Sequence, residues 1–175
     1  MTGAPIIETA RLRLRMPVLA DFEPRAAFYA SLRSVHEDGP HDRDTAWRIW
    51  ASSVGQWPLM GYGPLSIEDR QGRYLGEVGL YHPSTYPGPE LTWFLTSAAE
   101  GHGIASEAVP AYGAWAVRTH GFDRLVSYIG RGNHRALDFA RRLGAVEDTS
   151  APRPPVTNGL VFRHDIGRFL AEQPS

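Results

Sequence analysis

The clearest alternation of side chains lies in the middle of the chain, over residues 90–96. Leu91, Trp93 and Leu95 occupy every second position there, and this pattern is typical of a strand with both faces covered. A stretch with two glycines follows. From Ser106 onward a set of mostly apolar residues recurs at helical spacing: Ala108, Val109, Tyr112, Trp115, Ala116 and Thr119. The pattern predicts a strand, a glycine turn and a helix in succession.

Shorter patterns predict the elements that precede this unit. Strict alternation over 11–15 predicts a half-buried strand with its leucines inward and its arginines on a solvated face. Two helices are expected next, the first capped by Asp21 and the second beginning near Asp44 or Thr45. A β-hairpin is expected over residues 64–81, because two strand-like runs flank a polar turn with a glycine.

The elements after the central helix follow the same logic. A strand is predicted over 125–129, a short helix between Asn133 and Gly144, and a final strand over 160–162. Because several strands come in succession before the glycine turn, the order favours an α+β fold with an antiparallel or mixed sheet over a doubly wound sheet. We expect residues 1–175 to form a single domain.

Composition narrows the classes of function. The 175 residues carry a net charge of −1, which gives no general attraction for nucleic acid or an anionic membrane. Cysteine is absent, which excludes disulfides and thiolate chemistry, and the seven histidines show no metal-binding spacing. The N-terminus has no signal-peptide pattern, and no apolar run approaches the roughly 20 residues of a membrane span. We therefore expect a cytoplasmic protein that holds no metal.

The glycine turn is the first candidate for binding chemistry. Gly101 and Gly103 let the backbone turn tightly, and the first amides of the following helix have no partner within it. A hydrogen bond to a charged group contributes about 1.5–3 kcal/mol, and the helix dipole adds about 0.3–1 kcal/mol. Such a loop suits a phosphate group. The alternative is a turn that joins two elements and binds nothing.

These residues resemble the Gcn5-related N-acetyltransferase (GNAT) superfamily. Its acetyl-CoA loop has the pattern Q/R-x-x-G-x-G/A, and this chain has Glu-Gly-His-Gly-Ile-Ala over 100–105. The helix, strand, Asn133 and the Leu-Gly pair at 143–144 follow in the family's order. The opening segment 9–15 is similar to the branch that includes the RimJ/RimL-type N-terminal acetyltransferases. The resemblance covers nearly the whole chain.

The resemblance implies a mixed, mostly antiparallel sheet with a V-shaped splay, flanked by helices, and acetyl-CoA as co-substrate. Pantetheine would lie in the splay, and the pyrophosphate would take main-chain amides of the loop. By position, the implied cofactor-binding residues are Phe94, Leu95, Thr96, Gly101, His102, Gly103, Ile104, Ala105, Ser106, Asn133, Phe139 and Arg142. The acceptor would be a small-molecule primary amine or a protein N-terminus, and a homodimer is compatible with the resemblance.

Two departures from the family pattern affect the chemistry. Glu100 stands where Gln or Arg is common, and its charge would repel a pyrophosphate, so we expect its side chain to point outward. Ala136 and Ala140 stand where many members have a Ser or a Tyr that is often the proposed general acid. The general acid therefore remains open between Ser127, Tyr128 and a water molecule.

Acetyl transfer requires a neutral amine. Near pH 7.5 about a third of an α-amine is neutral, against about 0.1% of a lysine, so the need for a base depends on the acceptor. Glu90, at the start of the central strand, is the first candidate base, and Glu77 is the second. An aromatic loop with glycines could wall the acceptor pocket. The candidate acceptor-binding residues are Trp57, Tyr62 and Tyr128.

Two other functions compete with this interpretation. An NADP-dependent oxidoreductase would use Gly101, Gly103 and Ser106 as a dinucleotide fingerprint, but the expected acid is absent after the next strand, where Arg131 follows instead. A non-catalytic acyl-CoA-binding module would fit the alanine at position 140. A polar acceptor pocket beside the thioester would argue against that second alternative.

Overall fold

The computed structural model describes residues 3–155 and 158–171. Eight strands and six α-helices lie within these residues. The strands are β1 (Ile7–Glu8), β2 (Leu12–Arg15), β3 (Pro64–Asp69), β4 (Tyr74–Tyr81), β5 (Glu90–Leu95), β6 (Val126–Ile129), β7 (Val146–Glu147) and β8 (Leu160–Arg163). The helices are α1 (Phe22–Tyr29), α2 (Arg43–Val54), α3 (Gln56–Met60), α4 (Ile104–His120), α5 (His134–Arg142) and α6 (Ile166–Ala171). Short 3-10 turns occupy Leu19–Asp21, Leu32–Glu37 and Ser97–Ala99.

All eight strands form one sheet in the order β1-β2-β3-β4-β5-β6-β8-β7. Neighbouring strands are antiparallel except for β5 and β6, which run parallel. These two pair at a single position, Glu90 with Val126, and their ladder does not continue beyond it. The predicted α+β fold with a mixed, splayed sheet is therefore confirmed, and the splay opens a gap beside the second half of β5.

The alternation along β5 separates two layers of the core. Leu91, Trp93 and Leu95 pack with α4 and the hydrophobic side chains of β2, β3 and β4. Phe94 faces the opposite side and packs with buried aromatic residues of α1 and α2, among them Phe28. The predicted strand with two covered faces is confirmed, because each face carries its own helical layer.

The C-terminal helix α6, which the sequence pattern did not predict, packs on α4. A Cβ atom added at Gly113 would lie 2.7 Å from the ring of Phe169, so only glycine allows this close approach. Phe169 is buried at the interface. The helix has six residues, too few to show a clear period in the sequence.

The predicted helix caps are partly wrong. Asp21 makes no cap hydrogen bond to α1; its carboxylate accepts from Arg15 at 2.7 Å and from Ser66 at 2.7 Å. Arg15 also bonds Glu68, so this arginine belongs to a half-buried network rather than a solvated face. The true cap of α2 is Asp42, which accepts from the Thr45 amide at 2.7 Å. Local propensity correctly favours aspartate as a helix cap, but it contains no information on hydrogen-bond partners from other strands, such as Arg15 and Ser66.

The elements around the glycine turn match their predictions closely. The helix α4 begins at Ile104, two residues earlier than expected, and Gly121 ends it in a left-handed conformation with φ of 67°. Asn133 caps α5, because its side chain accepts from the Ala136 amide at 3.1 Å. Gly144 follows α5 with φ of 81°. The helix ends at Gly121 and Gly144 were easier to predict than the starts of α1 and α2, because both glycines adopt a positive φ that few other residues tolerate.

Candidate active site

Two recesses flank the gap between β5 and β6. We call the first the tyrosine cavity, a space of about 530 Å³. Four tyrosines line it: Tyr29, Tyr81, Tyr86 and Tyr128. We call the second the glycine-loop cleft, a space of about 560 Å³ bordered by the turn before α4 and by α5. Residues shared by both linings show that the recesses meet: His36, Glu37, Trp93, Phe94, Asn133 and Ala136.

Main-chain groups form one wall of the glycine-loop cleft. Gly101 and Gly103 have φ of 78° and 74°, a conformation that glycine adopts without strain. The lining includes Gly101, Gly103, Ile104, Ala105 and Ser106, as the sequence predicted. These residues include the first turn of a 17-residue helix, whose first amides have no helical acceptor. The wall therefore offers several backbone donors and the positive end of a helix dipole to an anion.

The strand β5 contributes backbone groups to the gap, but in a different register from the predicted one. The Thr96 amide donates to Leu75 on the β4 side at 2.9 Å. The Leu91 carbonyl faces the other way, because the Ser127 hydroxyl of β6 donates to it at 2.5 Å. Since backbone groups alternate in direction along a strand, those of Trp93 and Leu95 face the gap. The backbone groups of Phe94 and Thr96, which were expected there, face β4.

Side chains of α5 and its cap close the cleft from the opposite side. Asn133 lines both recesses, and Phe139 packs edge-on against Trp93 with ring centroids 5.0 Å apart. The guanidinium of Arg142 lies 5.8 Å from the Phe139 ring, and both residues line the cleft. His102 is exposed and its ring contacts the Glu100 carbonyl, so it lies outside the cleft lining.

The Glu100 side chain does not point freely outward, contrary to expectation. Its two carboxylate oxygens each contact one arginine at the edge of the cleft, Arg33 on one side and Arg135 on the other. All three side chains line the cleft. The repulsive charge that the sequence indicated is therefore neutralised by two guanidinium groups from distant segments.

In the tyrosine cavity, three aromatic rings lie near the carboxyl group of Glu90. The ring of Tyr86 is nearly perpendicular to those of Tyr81 and Tyr128, and each pair has a centroid separation of 5.5 Å. Burial raises the pKa of each of these three phenols, and the nearby Glu90 carboxyl raises it further. The three rings and Glu90 therefore lie close enough to interact electrostatically.

Glu90 is buried at the junction of β5 and β6. One of its carboxylate oxygens accepts from the Tyr128 amide at 3.0 Å. Burial raises the pKa of Glu90 to about 8, although the Tyr128 hydrogen bond opposes the shift. A carboxyl group with this pKa exchanges a proton near neutral pH, as a general base should.

Glu77 lies on β4 in the same cavity but has different partners. It accepts from the Trp50 indole at 2.8 Å, and the Arg25 Nε atom lies 3.7 Å from its other oxygen. Burial raises the pKa of Glu77, while Arg25 and Trp50 oppose the shift. Arg25 also pairs with Glu37 at 3.1 Å and lies 4.5 Å from the Phe94 ring centroid. The carboxyl group of Glu77 is thus held in a network, whereas no cationic side chain among the described residues contacts Glu90.

Ser127 lies in β6 where the strands begin to diverge. Its hydroxyl donates to Leu91, so the His164 Nε2 atom, 2.8 Å away, must donate to it. Burial lowers the pKa of His164 to about 4, which keeps the imidazole neutral. Ser127 thus bridges the two strands across the start of the splay, and its proton already has an acceptor.

Two of the expected acceptor-binding residues lie outside both recesses. Trp57 is buried in α3, donates to the Pro64 carbonyl at 2.7 Å and packs against Trp115. Tyr62 bonds His82 at 2.8 Å and belongs to a separate aromatic group. The aromatic segment folds so that Trp57 lies in α3 and Tyr62 follows this helix, and neither residue lines the tyrosine cavity or the glycine-loop cleft. Tyr128 does line the tyrosine cavity.

Sequence reasoning missed several residues of the site. Tyr86 is on a proline-rich loop between β4 and β5, and Tyr81 is the last residue of β4. Arg25 and Arg33 come from α1 and the turn that follows it, and Arg135 comes from α5. Nothing in the chain order indicates that these segments meet. A tyrosine in a loop with three prolines was the single available signal, since prolines hold such a loop in few conformations.

Within residues 3–155 and 158–171, no group of three or more histidine, aspartate or glutamate side chains is arranged to hold a metal ion. No helix in this part of the chain combines the length and apolar character that crossing a membrane requires.

The sheet splays beside a glycine loop, and a cavity lined by several carboxyl groups lies at the same gap. Residues 11–146 match the family model described as the acetyltransferase (GNAT) domain, and the chain belongs to this family. It is therefore an N-acetyltransferase of the acetyl-CoA-dependent class. An acetyltransferase from Agrobacterium tumefaciens has 34% identity and a TM-score of 0.88, over 94% of this chain and 96% of that one.

More distant structures share the fold. RimL, a ribosomal L7/L12 α-N-protein acetyltransferase with bound coenzyme A, has 17% identity, a TM-score of 0.69 and coverage of 91% and 96%. A spermidine N-acetyltransferase from Vibrio cholerae, with CoA and spermine, has 14% identity, a TM-score of 0.68 and coverage of 89% and 94%. A comparison with curated protein sequences gave no significant match.

The residues of the glycine-loop cleft fit coenzyme A. The turn before α4 provides main-chain donors for phosphate, and the gap-facing groups of Trp93 and Leu95 suit the amides of a pantetheine arm. Phe139 and Arg142 form an apolar and cationic surface at the outer part of the cleft. Acetyl-CoA, when bound, supplies the acetyl group as an activated thioester.

Proposed function

We propose that this chain transfers the acetyl group of acetyl-CoA to a cationic amine that binds in the tyrosine cavity, with Glu90 as the general base. The observation that supports the proposal most directly is a buried carboxyl group without a cationic side-chain partner, next to three tyrosine rings. In this proposal residues 1–175 form one acetyltransferase domain, and the cavity and the cleft are its two substrate sites.

The acidic lining of the cavity favours an amine that arrives protonated, because an ammonium group would stabilise the ionised forms of the carboxyl groups. Four carboxyl groups line it, from Glu37, Asp38, Glu77 and Glu90, against the single guanidinium of Arg25. A cation over an aromatic face gains about 0.5–2 kcal/mol. Three tyrosine rings lie near Glu90. An ammonium group would therefore bind beside Glu90, and its charge would favour the ionised form of the carboxyl group.

The contrast between the two candidate bases supports Glu90. The pKa of Glu90 is about 8, close to that of an α-amine, so a proton can move between them with little cost. Glu77 is engaged by Trp50 and Arg25 and would have to break these contacts to accept a proton. We assign Glu77 the role of holding Trp50 and Arg25 in the cavity wall.

The gap-facing backbone of β5 supplies the donors for the reacting carbonyl. The amides of Trp93 and Leu95 face the gap, and strand backbone is rigid enough to hold donors in a fixed position. Ser127, with its proton committed to Leu91, would maintain the width of the splay rather than act as the acid. Tyr128 would contact the acceptor through its ring.

Two acceptor classes are consistent with the cavity. RimL acts on a protein N-terminus, and the spermidine N-acetyltransferase was crystallised with a polyamine. Both types of acceptor present a primary amine that is cationic at neutral pH. A small-molecule amine is the acceptor that we favour, because residues of loop 82–89 and of the turn Leu32–Glu37 both line the cavity.

The decisive experiment is a thiol-release assay with acetyl-CoA and a panel of amines, followed by pH profiles for the best acceptor. The panel should contain diamines, polyamines, aromatic amines and short peptides with free N-termini. We expect Glu90→Gln to lower kcat/KM about 100-fold, since general base catalysis contributes about 10²–10⁴-fold. The pH dependence near 8 that belongs to the carboxyl group should disappear in the variant.

Glu147→Gln, on the exposed strand β7, is the matched control and should leave the assay unchanged. Retention of most of kcat/KM by Glu90→Gln between pH 6 and pH 9 would contradict the role of Glu90. Binding of acetyl-CoA without turnover of any amine would favour a non-catalytic acyl-CoA module instead.

A further inference from the structure

The edge of the glycine-loop cleft carries an ionic group that the family pattern does not explain. Glu100 replaces the Gln or Arg that is common at this position, and it contacts Arg33 through one carboxylate oxygen and Arg135 through the other. We call these three residues the arginine clasp. They come from three separate segments: the turn Leu32–Glu37, the loop before α4, and the first turn of α5.

The clasp lies where a phosphate-bearing ligand would enter. All three of its residues line the glycine-loop cleft, and Glu100 immediately precedes Gly101, the first glycine of the turn before α4. A guanidinium group binds a phosphate through two parallel hydrogen bonds, as it does a carboxylate. A phosphate at the loop would therefore compete with the Glu100 carboxylate for the same two arginines.

Arg33 makes a second contact that bears on ligand entry. Its guanidinium donates to the Leu95 carbonyl at 2.9 Å and lies 5.4 Å from the ring centroid of Phe28. The Leu95 carbonyl faces the gap between β5 and β6, where pantetheine would pass. Arg33 thus lies across the entrance to the gap, and a ligand amide that approached Leu95 would displace it.

We propose that Arg33 and Arg135 bind the phosphate groups of CoA, and that Glu100 holds both arginines at the edge of the cleft until the phosphates replace its carboxylate. This inference rests on the assignment of the glycine-loop cleft to CoA. In it, Glu100 keeps the two flexible side chains in position but lowers the affinity for the ligand, because its charge must be separated from both arginines on binding.

The exposure of the residues fits such an exchange. The side chains of Arg33 and Arg135 are 37% and 61% exposed, and that of Glu100 is 24% exposed. Solvent-exposed pairs of this kind contribute little net stability, so they can be exchanged for another anion at small cost. A deeply buried pair would resist the change.

The test is calorimetric binding of CoA and of pantetheine, which lacks phosphate, to the intact wild-type chain and three variants. Glu100→Gln should bind CoA about five- to tenfold more tightly, because the arginines no longer have a competing anion. Arg33→Ala and Arg135→Ala should each weaken CoA binding about five- to thirtyfold. Pantetheine should not distinguish Arg135→Ala or Glu100→Gln from wild type, and Arg33→Ala should bind it at least as well.

The helix α5 offers matched controls. Asp138 and Arg141 form an exposed pair at 3.1 Å, outside the cleft lining. Asp138→Asn and Arg141→Ala change the net charge by the same amounts as the clasp variants. If the effect on CoA affinity depends on how close a charge lies to the phosphates and not on net charge, both controls should stay within about twofold of the wild-type affinity.

Three results would overturn the inference. They are unchanged or weaker CoA binding by Glu100→Gln, unchanged CoA binding by both arginine variants, and an equal loss of pantetheine and CoA binding in Arg135→Ala. If the wild-type chain binds no CoA at all, the proposed function itself fails. If it binds CoA and acetylates an amine while the variants show no pattern, only the clasp is wrong.

Discussion

The glycine-loop cleft and the tyrosine cavity meet at one gap in the sheet, yet they are built in different ways. The cleft takes its binding groups mainly from backbone amides of one continuous segment, Gly101–Ser106. The cavity takes them from side chains of α1, α2, β4, β5, β6 and two loops. A backbone site leaves a compact sequence pattern because glycine is required where φ is positive. A side-chain site spread over the chain leaves none.

The same difference affects the electrostatics. The cleft is lined by backbone groups of the turn before α4, whereas the carboxyl groups of Glu77 and Glu90 in the cavity are buried, and burial raises their pKa values. In the proposed function, burial suits the carboxyl groups of the cavity to proton transfer, and backbone geometry suits the cleft to binding a phosphate. Each of the following predictions tests one side of this contrast.

The largest expected effect concerns the pH dependence of stability. Because the folded-state pKa of Glu90 is raised to about 8, its contribution to stability is complete below pH 4 and is lost as pH rises through 8. The loss amounts to about 4–5 kcal/mol at about 1.4 kcal/mol per pKa unit. Urea unfolding of ligand-free protein from pH 5 to pH 9 should show this slope in wild type but not in Glu90→Gln. Parallel slopes in the two proteins would contradict the buried, unpaired state of Glu90.

The second prediction tests which of two tryptophans belongs to the wall of the tyrosine cavity. Trp57→Ala should lower the free energy of unfolding by about 3–5 kcal/mol, since Trp57 is buried in the core, but should leave the acceptor KM unchanged. Trp50→Phe should raise the acceptor KM, because the Trp50 indole orients Glu77 in the cavity wall. Urea unfolding and steady-state kinetics measure the two effects. An acceptor KM that rises in Trp57→Ala and not in Trp50→Phe would reverse the assignment.

The third prediction concerns the backbone construction of the cleft. Gly103→Val should weaken acetyl-CoA binding about 10–100-fold, because valine is strained at a φ of 74° and would reshape the amides of the loop. Gly72→Val is the matched control, since Gly72 has a φ of 77° in the β3–β4 turn, far from the cleft in sequence. Calorimetry should show a similar loss of stability in both variants but a loss of affinity only in Gly103→Val.

The smallest expected effect concerns the aromatic walls. Tyr86→Leu should raise the acceptor KM about two- to fivefold and leave the affinity for acetyl-CoA unchanged, since a ring face contributes about 0.5–1 kcal/mol to binding a cation. Tyr86→Phe keeps the ring and should stay close to wild type. If Tyr86→Phe raises the acceptor KM as much as Tyr86→Leu does, the hydroxyl group rather than the ring face binds the acceptor.

Much of the fold followed from local patterns. Gly103, Gly121 and Gly144 mark positive-φ positions that few other residues tolerate, and Asn133 caps α5 through its own side chain. Such signals depend on neighbours within a few residues. Where the partners come from elsewhere, prediction was less accurate: Asp21 bonds Arg15 and Ser66 instead of capping α1, and Trp57 packs in the core instead of lining the pocket.

The sequence by itself determined the order of the main elements, the glycine loop and the family, because these depend on residue type, spacing and backbone conformation. Only the tertiary structure decided which backbone groups of β5 face the gap, why Glu90 differs from Glu77, and how Glu100 meets Arg33 and Arg135. The physical reason is that hydrogen-bond direction, burial and charge pairing depend on segments that are distant in the chain and meet only after folding.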